Sequence, residues 1–220
     1  AAITPKTKWL LLNYPSNPTG SVATHAELLA LGETLLRHPH IWIMTDDIYE
    51  HLLYDGVKFW TLAQVEPRLY DRVLTVNGVS KAYSMTGWRL GFCGGPLTLI
   101  KAMSNVNTQN SGGVTTLAQA GSVAALDGPQ DLLAERAEIY RQRRDYVLER
   151  LAGIHGLRSH KPQGAFYLFV NIEAFIGKTS ASGHFIASDA DFVMALIEEQ
   201  HVVTVQGAAY GMSPYFRLSY

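Results

Sequence analysis

Short apolar runs alternate with stretches of helical period along the first half of the chain, and each run stops at a cluster of turn-forming or charged residues. Residues 8–12 (KWLLL) read as a buried parallel strand that empties into NYPSNPTG (13–20), where Pro15, Pro18 and Gly20 forbid its continuation. Thr24-x-x-Glu27 is a capping box that opens a helix to about Arg37, with Leu28, Leu31 and Leu35 on one face. Residues 41–45 form a second apolar run ending on Asp46-Asp47, which completes the strand–helix–strand unit of a parallel sheet. Residues 73–76 make a third strand ending at Asn77-Gly78, and residues 89–93 (RLGFC) a fourth. Pro96 suits the first position of a helix to about Asn107. A polar loop (108–113) and a helix (114–126) follow, up to Asp127-Gly128-Pro129.

A long helix then runs to about Leu151, with Leu132, Leu133, Ile139, Tyr140, Tyr146, Val147 and Leu151 turned inward. Its arginines, Arg136, Arg141, Arg143, Arg144 and Arg150, read as a solvated face. Beyond it the pattern changes class. A strand (165–170), a Gly/Ser loop (177–183), a helix (189–200) and strands at 202–205 and 216–219 predict a small α+β lobe. The expected organisation is an α/β part over 1–128, a connecting helix over 129–152 and a small α+β domain over 153–220.

In open α/β sheets ligands bind beyond the carboxyl ends of the strands. Asn17, Asp46 and Lys81 each follow a separate predicted strand, so sheet geometry gathers them on one edge, and Tyr49 lies on the turn after Asp46. Lys81 stands among small and hydroxylated residues, Ser80, Ala82, Ser84, Thr86 and Gly87, which let a ligand approach the backbone. Arg89 is either the fixed cation that favours a neutral, nucleophilic lysine or a bidentate phosphate ligand. An aldehyde cofactor with a pyridine ring, a phenolic oxygen and a phosphate uses this whole set. Lys81 would form a Schiff base and later act as general base, Asp46 would pair with the ring nitrogen, Asn17 and Tyr49 with the phenolic oxygen, and Arg89 with the phosphate.

Composition narrows the classes further. A net charge of −1 argues against a nucleic-acid or membrane surface, and no apolar run reaches the length of a membrane span. One cysteine, Cys93, excludes an internal disulfide and is expected to be a small buried hydrophobe; the eight histidines show no metal-ligand spacing. A cytoplasmic protein is the expectation, and both ends read as cuts rather than natural termini.

SNPTG (16–20), DDIYEHLLYDG (46–56), NGVSKAYSMTGWRLG (77–91), PQGAFYLF (162–169) and FRLSY (216–220), in this order, resemble the class I aminotransferases that use pyridoxal 5'-phosphate, fold type I, in their prokaryotic aspartate-aminotransferase branch. The resemblance spans the chain and implies Lys81 as the Schiff-base lysine, Asp46 as ring-nitrogen partner, Asn17 and Tyr49 as phenolate partners and Arg89 as phosphate ligand. It also implies Arg217 as the clamp on the substrate carboxylate, with Asn17 beside it, although by pattern alone an arginine inside FRLSY reads as a surface residue. Further implications are ping-pong transfer of an amino group between an amino acid, aspartate-like, and a 2-oxo acid, a large domain on a mixed sheet with a smaller one that closes, and a homodimer. Family members are longer, so the chain looks like a C-terminal fragment that alone binds the cofactor weakly and does not turn over. Gly112 and Gly113 stand where relatives often carry proline, and Asp47 where a glutamate is usual. Two alternatives remain: β-elimination on the same cofactor, and a non-catalytic sensing domain of a transcription regulator.

Overall fold

The computed structural model describes residues 2–220. They divide into two compact units, the first comprising residues up to Pro15 with Val22–Arg136, the second Ser16–Ser21 with Ala137–Tyr220.

The first unit is built on a sheet of order β1-β2-β3-β4, comprising β1 (Trp9–Asn13), β2 (Trp42–Asp46), β3 (Val73–Gly78) and β4 (Gly91–Gly94). The first three strands are parallel, so their carboxyl ends share one edge, and β4 returns antiparallel with Gly91 opposite Gly78. Helix α1 (His25–Leu36) starts where the capping box places it: Thr24 Oγ1 accepts the Glu27 N–H, and the Glu27 carboxylate accepts the Thr24 N–H. Leu28 and Leu35 of α1 pack with Ile43 of β2, Val73 of β3, and Leu62 and Val65 of the single-turn helix α2 (Leu62–Val65). Arg72 closes the far end of α1 by donating to the carbonyls of Leu35 (2.7 Å) and His38 (2.7 Å), which also accept the His38 and Ile41 N–H groups.

The rest of this unit is far more open. Helix α3 (Leu97–Asn110) buries no residue, and α4 (Thr116–Asp127) buries only Ala118 and Ser122. Helix α3 thus takes in part of the stretch expected as loop; it ends before Gly112 and Gly113, whose φ values of 73° and 127° suit glycine. Strand β4 is an edge strand exposed along its whole length. Cys93 is accordingly exposed, contrary to the expectation of a buried hydrophobe, because the sheet has no further strand or helix over it among the described residues.

Helix α5 (Asp131–Ala152) carries the chain across the unit boundary, which falls between Arg136 and Ala137. The second unit is an antiparallel sheet of order β5-β6-β8-β7, made of β5 (Arg158–Ser159), β6 (Tyr167–Asn171), β8 (Tyr215–Ser219) and β7 (Val205–Gln206). Strand β7 is shorter than predicted because the chain leaves α6 (Asp189–Gln200) through a left-handed His201, and Val202 and Val203 stay exposed. Leu168, Val170 and Phe216 form a core with Val193 of α6, against which Val147 and Leu151 of α5 pack.

The inward face predicted for α5 needs correction. Ile139 and Tyr146 are exposed, whereas Arg144, assigned to the solvated face, is fully buried. Residues 140, 144, 147 and 151 lie on one stripe of a helix, so Arg144 belongs with Val147 and Leu151. Its guanidinium is satisfied there, donating to Pro162 O at 2.9 Å and to Asp145 at 2.9 Å.

Candidate functional site

The six residues singled out in the sequence fall into two groups, one in each unit. In the first, β2 ends on Asp46, and the turn after it places Tyr49, which is buried. β3 ends at Gly78 and Lys81 follows within a series of turns. The Lys81 ammonium stands 6.0 Å from the centroid of the Tyr49 ring and close enough to Asp46 to draw its pKa downward. Burial is the stronger influence and pushes the Asp46 carboxyl above the ordinary carboxylate range, against the Ile48 N–H and the Lys81 charge. A half-buried carboxylate, a phenol and an amine thus meet at the carboxyl edge of a parallel sheet.

The segment that carries Lys81 is tied down on both sides. Asn77, at the end of β3, donates to Glu50 Oε1 at 2.6 Å and accepts the Gly78 N–H at 2.7 Å. Arg136 donates to Ala82 O at 2.8 Å, and the Tyr83 hydroxyl donates to Gln130 at 2.7 Å. Ser84 and Arg89 both occupy left-handed backbone conformations, with φ of 55° and 53°, which non-glycine residues adopt at a cost of about 1–3 kcal/mol each. Arg89 therefore precedes β4 in a bend rather than opening the strand as predicted. It donates to Thr86 O at 3.1 Å and is exposed beside a groove of about 640 Å³ that Ser84, Trp88, Thr115 and Leu117 also line.

Asp47 directly follows Asp46. It is buried, and burial pushes its carboxyl up to about 6, opposed by the Thr61 and Thr45 hydroxyls and reinforced by the nearby charges of Glu50 and Asp46. The paired Asp46-Asp47 at the end of an apolar run is the signal for it.

In the second unit Asn17 and Arg217 meet, 200 positions apart in sequence. The Asn17 Oδ1 accepts from Arg217 Nη1 at 2.8 Å. The turn around Asn17 is held by the 160–164 segment, since Gln163 and Gly164 each donate a backbone N–H to Gly20 O at 3.0 Å. Gly20 is required there: its φ is 68°, and a Cβ would stand 2.4 Å from that of Pro162. Arg217 lies mid-strand on β8, opposite Phe169 and Val205, with Tyr167 and Tyr210 against its guanidinium at 4.6 and 5.5 Å from the ring centroids. Those two tyrosines were missed in the sequence. The alternation of β8, with Phe216 and Leu218 turned to the core and Tyr215, Arg217 and Ser219 to the other face, is what marks that second face as chemically different.

Comparison with known proteins identifies the family. The family model for aminotransferase class I and II matches residues 1–220. An aspartate aminotransferase from Rhizobium meliloti is 54% identical over the whole chain, which covers 54% of that relative. An aspartate/prephenate aminotransferase from Cereibacter sphaeroides is 53% identical, with 55% of it covered. The crystal structure of the aspartate aminotransferase from Rhizobium meliloti superposes with a TM-score of 0.95 over 99% of this chain and 55% of that one, at 53% identity. A Thermus thermophilus aspartate aminotransferase double mutant gives 0.87 at 36% identity, over 100% of this chain and 54% of that one. The chain spans about half the length of the curated relatives it matches.

Proposed function

The chain belongs to the class I and II aminotransferases, and on that premise we propose that its whole protein binds pyridoxal 5'-phosphate and moves an amino group between an aspartate-like amino acid and a 2-oxo acid. The donor set fits that cofactor. Burial makes the Asp46 charge costly, and a protonated ring nitrogen is the partner that offsets the cost. Arg89, with the Ser84 and Thr115 hydroxyls along the same groove, offers phosphate ligands. Tyr49 brings a phenol beside Lys81 as a donor for the phenolic oxygen.

Bound there, the cofactor supplies an aldehyde that takes up the amino group and a ring that accepts the electron pair left when the substrate loses its α-proton. Lys81 would hold the aldehyde of the bound cofactor, and its amine would carry the proton at the substrate α-carbon. Tyr49, under the Lys81 ammonium, restricts the arc through which that amine swings. Arg217, fixed by Asn17, binds the substrate α-carboxylate.

The observation that carries this reading is the Lys81 ammonium over the Tyr49 ring and within electrostatic reach of the Asp46 carboxylate at the sheet edge. The names of the relatives support amino transfer over β-elimination or a sensing role. The same reading divides the chain into part of the cofactor domain (1–128), a connecting helix (129–152) and part of a small domain (153–220), and expects a cytoplasmic homodimer. Among the described residues no helix is long and apolar enough to cross a membrane. Borohydride reduction of the full-length protein loaded with pyridoxal 5'-phosphate, followed by peptide mapping, should place the cofactor mass on Lys81. Its appearance on another lysine, or on none, sinks the assignment.

A further inference from the structure

Arg217 is held in an unusual way for a residue that is to bind a carboxylate. Nη1 is engaged by Asn17, and the buried Nε has no hydrogen-bond partner. The Tyr167 and Tyr210 rings lie 4.6 and 5.5 Å from the guanidinium carbon. Both rings are themselves braced. Tyr167 is buried on β6. Tyr210 ends the short turn Gly207–Tyr210 and meets Phe169 edge-on at 6.1 Å, and Phe169 stacks on Tyr215 at 4.9 Å. The backbone beneath Tyr210 is pinned by the buried Asp189 carboxylate, which accepts the Ala208 N–H at 2.9 Å and the Ser213 hydroxyl at 2.8 Å. Gly207 leaves no freedom there, since a Cβ on it would fall 2.1 Å from Met212 O.

We propose that Tyr167 and Tyr210 are positioning residues: their rings fix the plane of the Arg217 guanidinium so that its terminal Nη groups, and not the buried Nε, are presented to the substrate carboxylate in one orientation. This rests on the reading of Arg217 as the carboxylate clamp. A guanidinium tethered at Nη1 alone still rotates about that bond. Two aromatic faces against it remove the rotation and favour the cation without supplying a competing anion. Because the ring faces do this and not the hydroxyls, phenylalanine should serve at either position.

The test uses the full-length holoenzyme, with aspartate KM and kcat from steady-state kinetics and the Kd of maleate, a dicarboxylate that cannot react, from the cofactor absorbance. Tyr210→Leu should raise both the aspartate KM and the maleate Kd about tenfold with kcat changed less than threefold, and Tyr210→Phe and Tyr167→Phe should stay within about twofold of the parent. Should Tyr210→Leu fail to fold, Tyr210→Met carries the same expectation. Unchanged KM and Kd in the leucine variant, a fall in kcat at constant KM, or phenylalanine variants as weak as leucine would each overturn the proposal. Arg217→Lys separates it from its premise: if that variant binds maleate as the parent does, Arg217 is not the clamp. If it loses maleate while Tyr210→Leu keeps it, Arg217 stands and the aromatic positioning falls.

Discussion

The two units present chemistry in opposite ways. In the first, a parallel sheet keeps its faces for packing and releases its reactive side chains from strand ends, with Asp46 closing β2 and Lys81 three residues past β3. In the second, an antiparallel sheet gives one face to the core and carries its functional arginine in mid-strand on the other. Strand ends are set by where an apolar run stops, whereas a face is set by register, and register is visible only once the neighbouring strands are known.

The largest expected effect isolates chemistry from architecture in the first unit. Lys81→Ala should lower transaminase kcat by about 10⁴-fold or more while leaving the far-ultraviolet circular dichroism unchanged, because the side chain projects from a turn and is only partly buried. A comparable loss of folded structure would mean that strand-end chemistry and packing are not separable here. Next comes a contrast within the second unit. Arg144→Ala strands the Pro162 carbonyl and empties a buried site, and denaturant unfolding should show a loss of about 3 kcal/mol. The adjacent and exposed Arg143→Ala should stay within about 0.5 kcal/mol.

Asp47 gives a smaller effect of opposite sign. Folded, it keeps its proton up to about pH 6, above the ordinary 3.8, so between those values the folded chain binds more protons than the unfolded one. Stability therefore rises as pH falls from above 6 toward 4, and the ionised carboxylate opposes folding at pH 7 and above. Asp47→Asn should stabilise the protein by about 1–2 kcal/mol at pH 8, fading toward pH 4, as read from melting curves across that range. The smallest effect tests the local signal the sequence carried best: Thr24→Ala should cost about 1 kcal/mol by removing the cap on α1.

What could be read from sequence follows the same divide. The strands of the first unit, the start of α1 and the convergence of Asp46, Tyr49 and Lys81 were legible because each rests on a local stop or cap. Arg217 was reached only through resemblance, since an arginine in FRLSY looks like a surface residue until Val205 and Phe169 are known to flank it. Arg144 was misplaced because charge was weighed above helical position, and a guanidinium can occupy a core stripe when a carbonyl such as that of Pro162 is within reach. Cys93 was misjudged for the complementary reason: apolar neighbours along a strand do not say whether another layer lies over it.

The hydrogen bond between Asn17 and Arg217 has a consequence in time. At roughly 5–20 residues added per second, a ribosome makes the arginine about 10–40 s after the asparagine. Through most of that interval the Ser16–Ser21 turn has been synthesised without its partners, the 160–164 segment emerging first and Arg217 last, and nascent-chain proteolysis should cut there until translation has passed both.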